Sequence, residues 1–368
     1  MDNQPIRFLK SLKIVTFLVV FSVVSALNLR ANDTIPTTTV HQEKEAFNAG
    51  EMIIDHVSDA HDWHIMDIGE HAVSVPLPII LFDNNGLHVF MSGKFEHGHA
   101  SYEGFMLCKE GEFAGKIVPV IEGTMEMDQN KDLPLDFSIT KTVAGIFVAA
   151  ILLLLIFLSI AKAYKKRQDE APKGLQSFVE PVILFVRDDV AKASIGKKKY
   201  ERYMPFLLTV FFFILINNAL GLIPIFPAGA NVTGNIAVTM VLAVFTFIVT
   251  TLSGNGNYWK HILWPPVPHA LKILMVPIEI IGMFIKPFVL MVRLFANILA
   301  GHIVILGFIS MIFIFGAMNA YMGYGVSILS VAFSLFISLL EILVAFIQAY
   351  VFTLLSALYI GMATEEHH

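Results

Sequence analysis

The chain has 368 residues, of which 56% are hydrophobic and only 15% are charged, with a formal net charge of −5. A soluble chain of this length normally carries about 25% charged residues. The composition therefore excludes a disordered protein and an ordinary soluble enzyme, and it indicates a polytopic membrane protein. The single cysteine, Cys108, excludes an internal disulfide and a metal site built from cysteines.

Residues 1–31 have the pattern of a secretory signal peptide. Three basic residues precede an apolar run of fourteen residues at 14–27, which is short for a membrane span. Small residues at 24–26 offer a cleavage site. An uncleaved first membrane helix is the alternative. Cleavage would place the next segment, 32–138, outside the cytoplasm.

Residues 32–138 are predicted to form an acidic, histidine-rich periplasmic domain. The stretch 32–139 holds 19 acidic against 5 basic residues and eight of the thirteen histidines. Such a charge argues against nucleic acid as a partner. Residues 71–95 predict two β-strands around an Asn-Asn-Gly turn at 84–86. Four histidines at 56–71 lie among acids, and a solvated acidic face is favoured over a metal site because no metal-motif spacing is present.

Three apolar stretches are predicted to span the membrane, at 139–163, 205–226 and 236–252. The connection at 164–204 carries a cluster of Lys and Arg, so the positive-inside rule places it in the cytoplasm. The acidic domain is then outside, in agreement with the signal peptide, and the tail at 363–368 is cytoplasmic.

The last two apolar stretches are too long for vertical spans. As a single helix, 269–318 would be about 75 Å long and 326–362 about 55 Å, against a hydrocarbon thickness of about 30 Å. We therefore predict a strongly tilted antiparallel hairpin with its turn at 316–325. Pro277 and Pro287 are expected to break or kink the first helix.

Apart from His269 and Lys272 at the start of the first stretch, four charged residues and one histidine lie inside these two apolar stretches: Glu279, Lys286, Arg293, His302 and Glu341. A charge at membrane depth costs at least about 2.5 kcal/mol and usually marks an ion path. Residues 205–362 are therefore predicted to form an ion-translocating domain. The fold class expected for the whole chain is an all-α polytopic membrane protein with a small N-terminal domain that contains some β-structure.

Glu279, Lys286 and Arg293 recur at every seventh position. They share one stripe of a continuous helix, because seven residues are nearly two turns. Arginine cannot deprotonate in a protein, so Arg293 keeps its charge in the apolar layer. The acids Glu279 and Glu341 are not close to Arg293 in the sequence pattern, because they lie far along the helix from it or near the opposite end. An unpaired fixed cation implies an anionic partner, which could lie on another chain.

An antiparallel hairpin brings together residues that are equally far from its turn. The midpoint between positions 293 (Arg293) and 348 (Gln348) lies near residue 321, and so does the midpoint between positions 302 (His302) and 341 (Glu341). The register therefore predicts that Gln348 meets Arg293, and that Glu341 meets His302 nearer the outside. Asn297 lies one turn beyond Arg293. For Asn297 and Gln348, polar attachment between helices is the alternative role.

Three blocks of the sequence resemble the a subunit of F-type ATP synthases. They are RLFANILAGH at 293–302, EILVAFIQAYVF at 341–352, and PAGANV at 227–232, which is similar to the family's external turn. The resemblance covers roughly 139–362 and leaves the acidic domain outside the common core.

Two departures from the family pattern are present. Ala296 stands where the family often has Gly before Asn297, and the imidazole of His302 and the carboxylate of Glu341 are exchanged relative to many members. The exchange keeps an acid–imidazole pair and leaves open which group accepts the proton first.

The resemblance implies a stator subunit of the bacterial inner membrane that works without a cofactor, next to a ring of c subunits and the b subunits of the peripheral stalk. It assigns the outer half-channel to four residues: His302, Glu341, Asn297 and Gln348. It assigns the cytoplasmic exit to Glu279 and Lys286, and the separation of the two half-channels to Arg293. Asn217 and Asn218 could line the outer path or join helices.

Two other functions are alternatives to this one: a secondary transporter, and the stator of a different ion-driven motor. A transporter would hold a complete set of ligands within this chain. A fixed arginine whose carboxylate comes from a partner favours the ATP synthase stator over both. Because the sequence has no P-loop, nucleotide chemistry is expected on partner chains.

Overall fold

The structure, a computed structural model, describes residues 48–68, 71–109, 111–121, 124–166, 171–223 and 226–365. The predicted signal peptide lies outside these residues. The described chain is mostly helical, and its strands lie in the N-terminal part, as the composition and pattern predict.

Among the described residues, the N-terminal part contains one α-helix and seven short strands. These are α1 (Ala49–Val57), β1 (Asp62–Ile68), β2 (His71–Pro76), β3 (Pro78–Asp83), β4 (Gly86–Met91), β5 (Phe105–Leu107), β6 (Ile117–Pro119) and β7 (Leu135–Asp136), with a 3₁₀ helix at Ser92–Gly98. β1 pairs with β2, β5 pairs with β6, and β3 lies between β4 and β7, all antiparallel.

The predicted hairpin turn is confirmed, but the strand before it is divided. The carboxylate of Asp83 accepts hydrogen bonds from the backbone N–H groups of Asn85 (2.8 Å) and Gly86 (3.1 Å). Gly86 has a φ of 127°, a conformation that glycine adopts without steric conflict. The expectation of one strand from residue 71 is wrong, because Pro76 and Pro78 have no N–H to donate to a continuous ladder. β2 pairs with β1 instead.

Several histidines of this domain pair with carboxylates. The imidazole of His61 is 2% exposed, and its Nε2 lies 2.9 Å from Oδ2 of Asp136. Burial works to raise the pKa of Asp136, but hydrogen bonds from His61 and Ser138 outweigh it and hold that pKa at about 2. His88 lies 3.0 Å from Glu103. In the described part of the chain, no three His, Cys, Asp or Glu side chains are grouped as a metal site would need.

Eight helices follow. They are α2 (Lys141–Lys166), α3 (Leu175–Phe185), α4 (Ala193–Ile195), α5 (Tyr200–Gly221), α6 (Ile236–Ser253), α7 (Gly256–Leu263), α8 (His269–Met318) and α9 (Ala320–Thr364), with a π-helical segment at Val186–Lys192. Within the described residues, five helices are long and apolar enough to cross a membrane: α2, α5, α6, α8 and α9.

Helix α8 is continuous over 50 residues. The helix does not break at Pro277 or Pro287, since both lie inside it, and a kink at either proline stays a prediction. A proline removes one backbone donor. Ending the helix in an apolar layer would instead expose several unpaired backbone groups, each costing several kcal/mol. At about 1.5 Å per residue, α8 is about 75 Å long.

The turn between α8 and α9 is much shorter than the predicted 316–325. Only Asn319 leaves the helical conformation, with φ −162° and ψ 131°, and its side chain caps α9 by accepting a hydrogen bond from the N–H of Tyr321 (2.9 Å). A Cβ on Gly323 would lie 2.7 Å from Cα of Gly316. The two glycines therefore let the helices touch closely and do not form a loop.

Burial is unequal along the hairpin. α9 packs along α8, and it also contacts α4, α5 and α6. Among its described side chains, α8 buries four hydrophobic residues, Leu290, Met291, Leu294 and Ile298. These four positions lie on one side of the helix, so the other side of α8 stays open.

The N-terminal domain is attached to the start of α2. The carboxylate of Asp59 accepts a hydrogen bond from the N–H of Thr142 (3.0 Å). A residue of the N-terminal domain therefore caps the first turn of α2. Trp63 is buried and packs edge-on against Phe226, with ring centroids 5.3 Å apart. The domain is thus held against the membrane helices by a polar contact and an aromatic one.

Gly145→Ala is predicted to destabilise the chain. A Cβ at Gly145 would lie 2.8 Å from side-chain carbons of both Ala230 and Val232, and such overpacking costs about 1–3 kcal/mol. We expect a lower midpoint of thermal unfolding in detergent. Gly325→Ala is the control, because no heavy atom lies within 4 Å of a Cβ there. An unchanged midpoint for Gly145→Ala would contradict the packing.

Candidate functional site along the α8–α9 hairpin

The acid–imidazole pair lies where the hairpin register predicts it. Nδ1 of His302 is 3.7 Å from Oε1 of Glu341, and their side chains are 13% and 11% exposed. The predicted meeting of these two residues is confirmed. The distance is that of an ion pair and is too long for a direct hydrogen bond.

One oxygen of this pair has no partner. Among the described residues, Oε2 of Glu341 is buried and accepts no hydrogen bond. A buried polar atom left unpaired costs about 1–3 kcal/mol. This oxygen of Glu341 is therefore available to accept a hydrogen bond.

Gly301 makes the space that Glu341 occupies. A Cβ at Gly301 would overlap Oε1 of Glu341. Gly221, at the end of α5, also faces this place, since a Cβ there would lie 3.9 Å from Nε2 of His302. Sequence reasoning missed Gly301, although its position next to His302 and opposite an acid was a usable signal.

Asn218 joins three parts of the chain. Its amide donates to the carbonyl oxygen of Ala345 in α9 (3.4 Å), and it accepts a hydrogen bond from the hydroxyl of Thr233 (2.6 Å). These contacts support the alternative in which Asn218 joins helices. Asn217 donates to the carbonyl oxygen of Phe213 in its own helix (2.8 Å).

Arg293 is exposed on the open side of α8, next to the buried Leu294. Its guanidinium forms no ion pair with any carboxylate of the described residues, and its charge acts on the phenol of Tyr359 in α9. Asn297 is also exposed, whereas Gln348 is buried. Contact between Arg293 and Gln348 stays a prediction.

A cleft between α6, α7, α8 and α9 lies on the other side of Arg293 from His302. Lys286, Tyr258 and Tyr359 line it, and Nζ of Lys286 lies 5.6 Å from the centroid of the Tyr359 ring. Burial, and after it the charge of Glu279, raises the pKa of Tyr258. The hydroxyl of Thr250 also lines the cleft and has no hydrogen-bond partner among the described residues.

The cleft explains what sequence reasoning missed. The sequence singles out Glu279 and Lys286 as charged residues of one apolar helix, and the family resemblance assigns them to the cytoplasmic exit. Tyr258, Thr250 and Tyr359 lie on three other helices, and only the fold brings them to Lys286. No local spacing in the sequence relates them.

The arrangement agrees with what comparison with known proteins finds. The family profile described as ATP synthase A chain matches residues 143–361, which is well over half of the chain. The chain belongs to this family. A second profile, described as a domain of unknown function, matches residues 52–137.

Curated relatives support the assignment. The chain is 51% identical over 240 residues to ATP synthase subunit a of Chloroherpeton thalassium, covering 63% of this chain and 69% of the relative. It is 48% identical over 243 residues to the subunit a of Pelodictyon phaeoclathratiforme (63% and 68%). It is 45% identical over 240 residues to that of Myxococcus xanthus (64% and 75%).

The family places the chain among the membrane-sector subunits of F-type ATP synthase. It is a multi-pass membrane protein, and other ATP synthase subunits are its partners. By family it is a proton-translocating component and not itself the catalytic one.

Gly301→Ala is predicted to impair the assembled ATP synthase. The added methyl group must displace the Glu341 carboxylate from His302, and we expect ion-driven ATP synthesis in liposomes to fall at least about tenfold, equivalent to about 1.4 kcal/mol. Gly307→Ala is the matched control, because the space around a Cβ there is open. Equal rates in the two variants would show that the close approach at Gly301 has no role.

Proposed function

We propose that this chain is the ion-channel stator of a rotary ATP synthase, and that it loads and unloads protons on the carboxylates of a c-subunit ring through two aqueous half-channels. One observation carries the proposal. Arg293 is a permanent cation on the open side of α8, and no carboxylate of the described residues pairs with it. A ring that brings carboxylates past α8 would supply the missing anion.

The outer half-channel is built around His302 and Glu341. Their 3.7 Å separation lets either group hold the proton while the other stabilises the charge. Asn297 is exposed on the same helix as Arg293, one turn away, and is available to polarise water or the ring carboxylate. Gln348, buried in α9, completes this path. A proton then passes to the ring carboxylate, which becomes neutral and can face lipid.

The exit half-channel runs through the cleft at Lys286. Glu279 and Lys286 border polar groups, Tyr258 and Tyr359, that can hold a file of water. This path leads from Arg293 toward the N-terminal end of α8. The orientation follows from charge: residues 32–138 lie in the periplasm, and 164–204 and 363–368 lie in the cytoplasm.

Arg293 separates the two half-channels by electrostatics. Its charge favours the ionised ring carboxylate, so it lowers the pKa of that carboxylate and promotes release of the proton on the exit side. The same charge repels a proton that would cross directly from one half-channel to the other. Proton flow is then coupled to movement of the ring.

A secondary transporter would need its charged ligands within one chain. Arg293 lacks such a partner among the described residues, which argues against that alternative. Copurification distinguishes the two, because the stator proposal requires a complex that contains a c-subunit ring and b subunits of the peripheral stalk.

Arg293→Ala tests the proposal directly. We expect proton-driven ATP synthesis to fall by at least about 100-fold, or about 2.7 kcal/mol, because no fixed cation would then lower the pKa of the ring carboxylate and favour release of its proton. Assembly of the complex should persist, since Arg293 makes no ion pair with the described residues. Arg202→Ala, outside both proposed paths, is the control. Coupled synthesis retained in Arg293→Ala would refute the assignment.

The outer half-channel makes a second prediction. Glu341→Gln removes a titratable group, whereas Asn297→Ala removes only a polar one. We therefore expect Glu341→Gln to slow proton uptake more than Asn297→Ala does, by about tenfold or more. The measurement is acidification-driven ATP synthesis in liposomes at matched complex content. Wild-type rates in both variants would eliminate the relay.

A further inference from the structure

The helix α1 of the N-terminal domain packs against α8. His56 lies in its last turn. The segment around it is fixed: Nζ of Lys141 donates to the carbonyl oxygen of His56 (3.2 Å), and the N–H of Lys141 donates to that of Ala60 (2.8 Å). His56 is therefore held in a defined place relative to the membrane helices.

Titratable groups from three other elements act electrostatically on the His56 imidazole. They are His302 of α8, Lys141 of α2 and His64 of β1. Partial burial lowers the pKa of His56 first, and the electrostatic influence of Lys141, His302 and His64 lowers it further. A lowered pKa favours the neutral form of His56. Asp59 and Asp62 act on Lys141 from the same side.

His56 also meets solvent. Its side chain is exposed, so the imidazole is open to water. The stretch that surrounds it, 32–139, holds 19 acidic against 5 basic residues. A negative domain raises the local concentration of cations, protons included.

We propose that His56 is a proton-collecting site that the N-terminal domain adds to the mouth of the outer half-channel, and that it passes protons to His302. The inference rests on the proposed function of His302 and Glu341. In each transfer a ring nitrogen of neutral His56 takes one proton from external water, and the proton leaves through bridging water to the imidazole of His302. Only N–H and O–H bonds change, and His56 returns to its neutral form.

His56→Gln in the complete ATP synthase, reconstituted in liposomes, tests the proposal. The pH on the side of the N-terminal domain is varied at constant driving force. We expect synthesis to be at least about threefold slower than wild type at pH 8, where proton collection limits the rate, and equal to wild type near pH 6. His99→Gln is the control, since His99 is an exposed histidine of the same domain that lies beside Lys109.

Chemical rescue separates proton transfer from a structural role. Added imidazole should restore synthesis at pH 8 in His56→Ala, because a diffusible base can replace the missing ring. The proposal is overturned by wild-type rates at pH 8, or by a loss that is equal at both pH values and not rescued by imidazole. Arg293→Ala is measured in parallel to distinguish failure of the proposed function from failure of the His56 proposal. If Arg293→Ala abolishes synthesis while His56→Gln has no effect, only the His56 proposal is overturned.

Discussion

The fixed charge of Arg293 is the constraint on which the membrane part depends. A guanidinium in an apolar layer is costly unless an anion or water meets it. The structure exposes it on α8, beside the side of the helix that buries Leu290, Leu294 and Ile298. Because no carboxylate of the described residues pairs with it, the chain by itself is electrostatically incomplete. Its family, in which subunits work together, is the setting that can complete it.

Close packing of two long helices positions the acid–imidazole pair. Glu341 reaches His302 because Gly301 has no side chain to exclude it, and the tip of the hairpin closes because Gly316 and Gly323 touch. A carboxylate oxygen is left without a partner as a result. The close packing of the two helices offsets the free energy that this unpaired oxygen costs.

The hairpin and its pairing could be predicted from sequence, because helical periodicity and antiparallel register are local rules. That is why His302 and Glu341 meet as expected. The turn was predicted too long, because glycines near 319 signal a loop as readily as they signal close contact. The cleft tyrosines and His56 could not be predicted, since each depends on which helices become neighbours. The roles of the site residues stay predictions.

The membrane helices differ in how much of their surface the chain itself buries, and α8 is left largely exposed. In an apolar 18-residue stretch of α5, 56% is buried inside the chain, whereas in the corresponding stretch of α8 only 6% is buried. Lipid can cover apolar side chains such as Ile281 and Phe288 at no cost, but it cannot satisfy Arg293. A face on which Arg293 is a permanent cation with no carboxylate partner among the described residues therefore fits a partner that brings an acid to it. The proposed ring of c subunits meets that description, because each subunit would present the same acid in turn and none needs to remain bound.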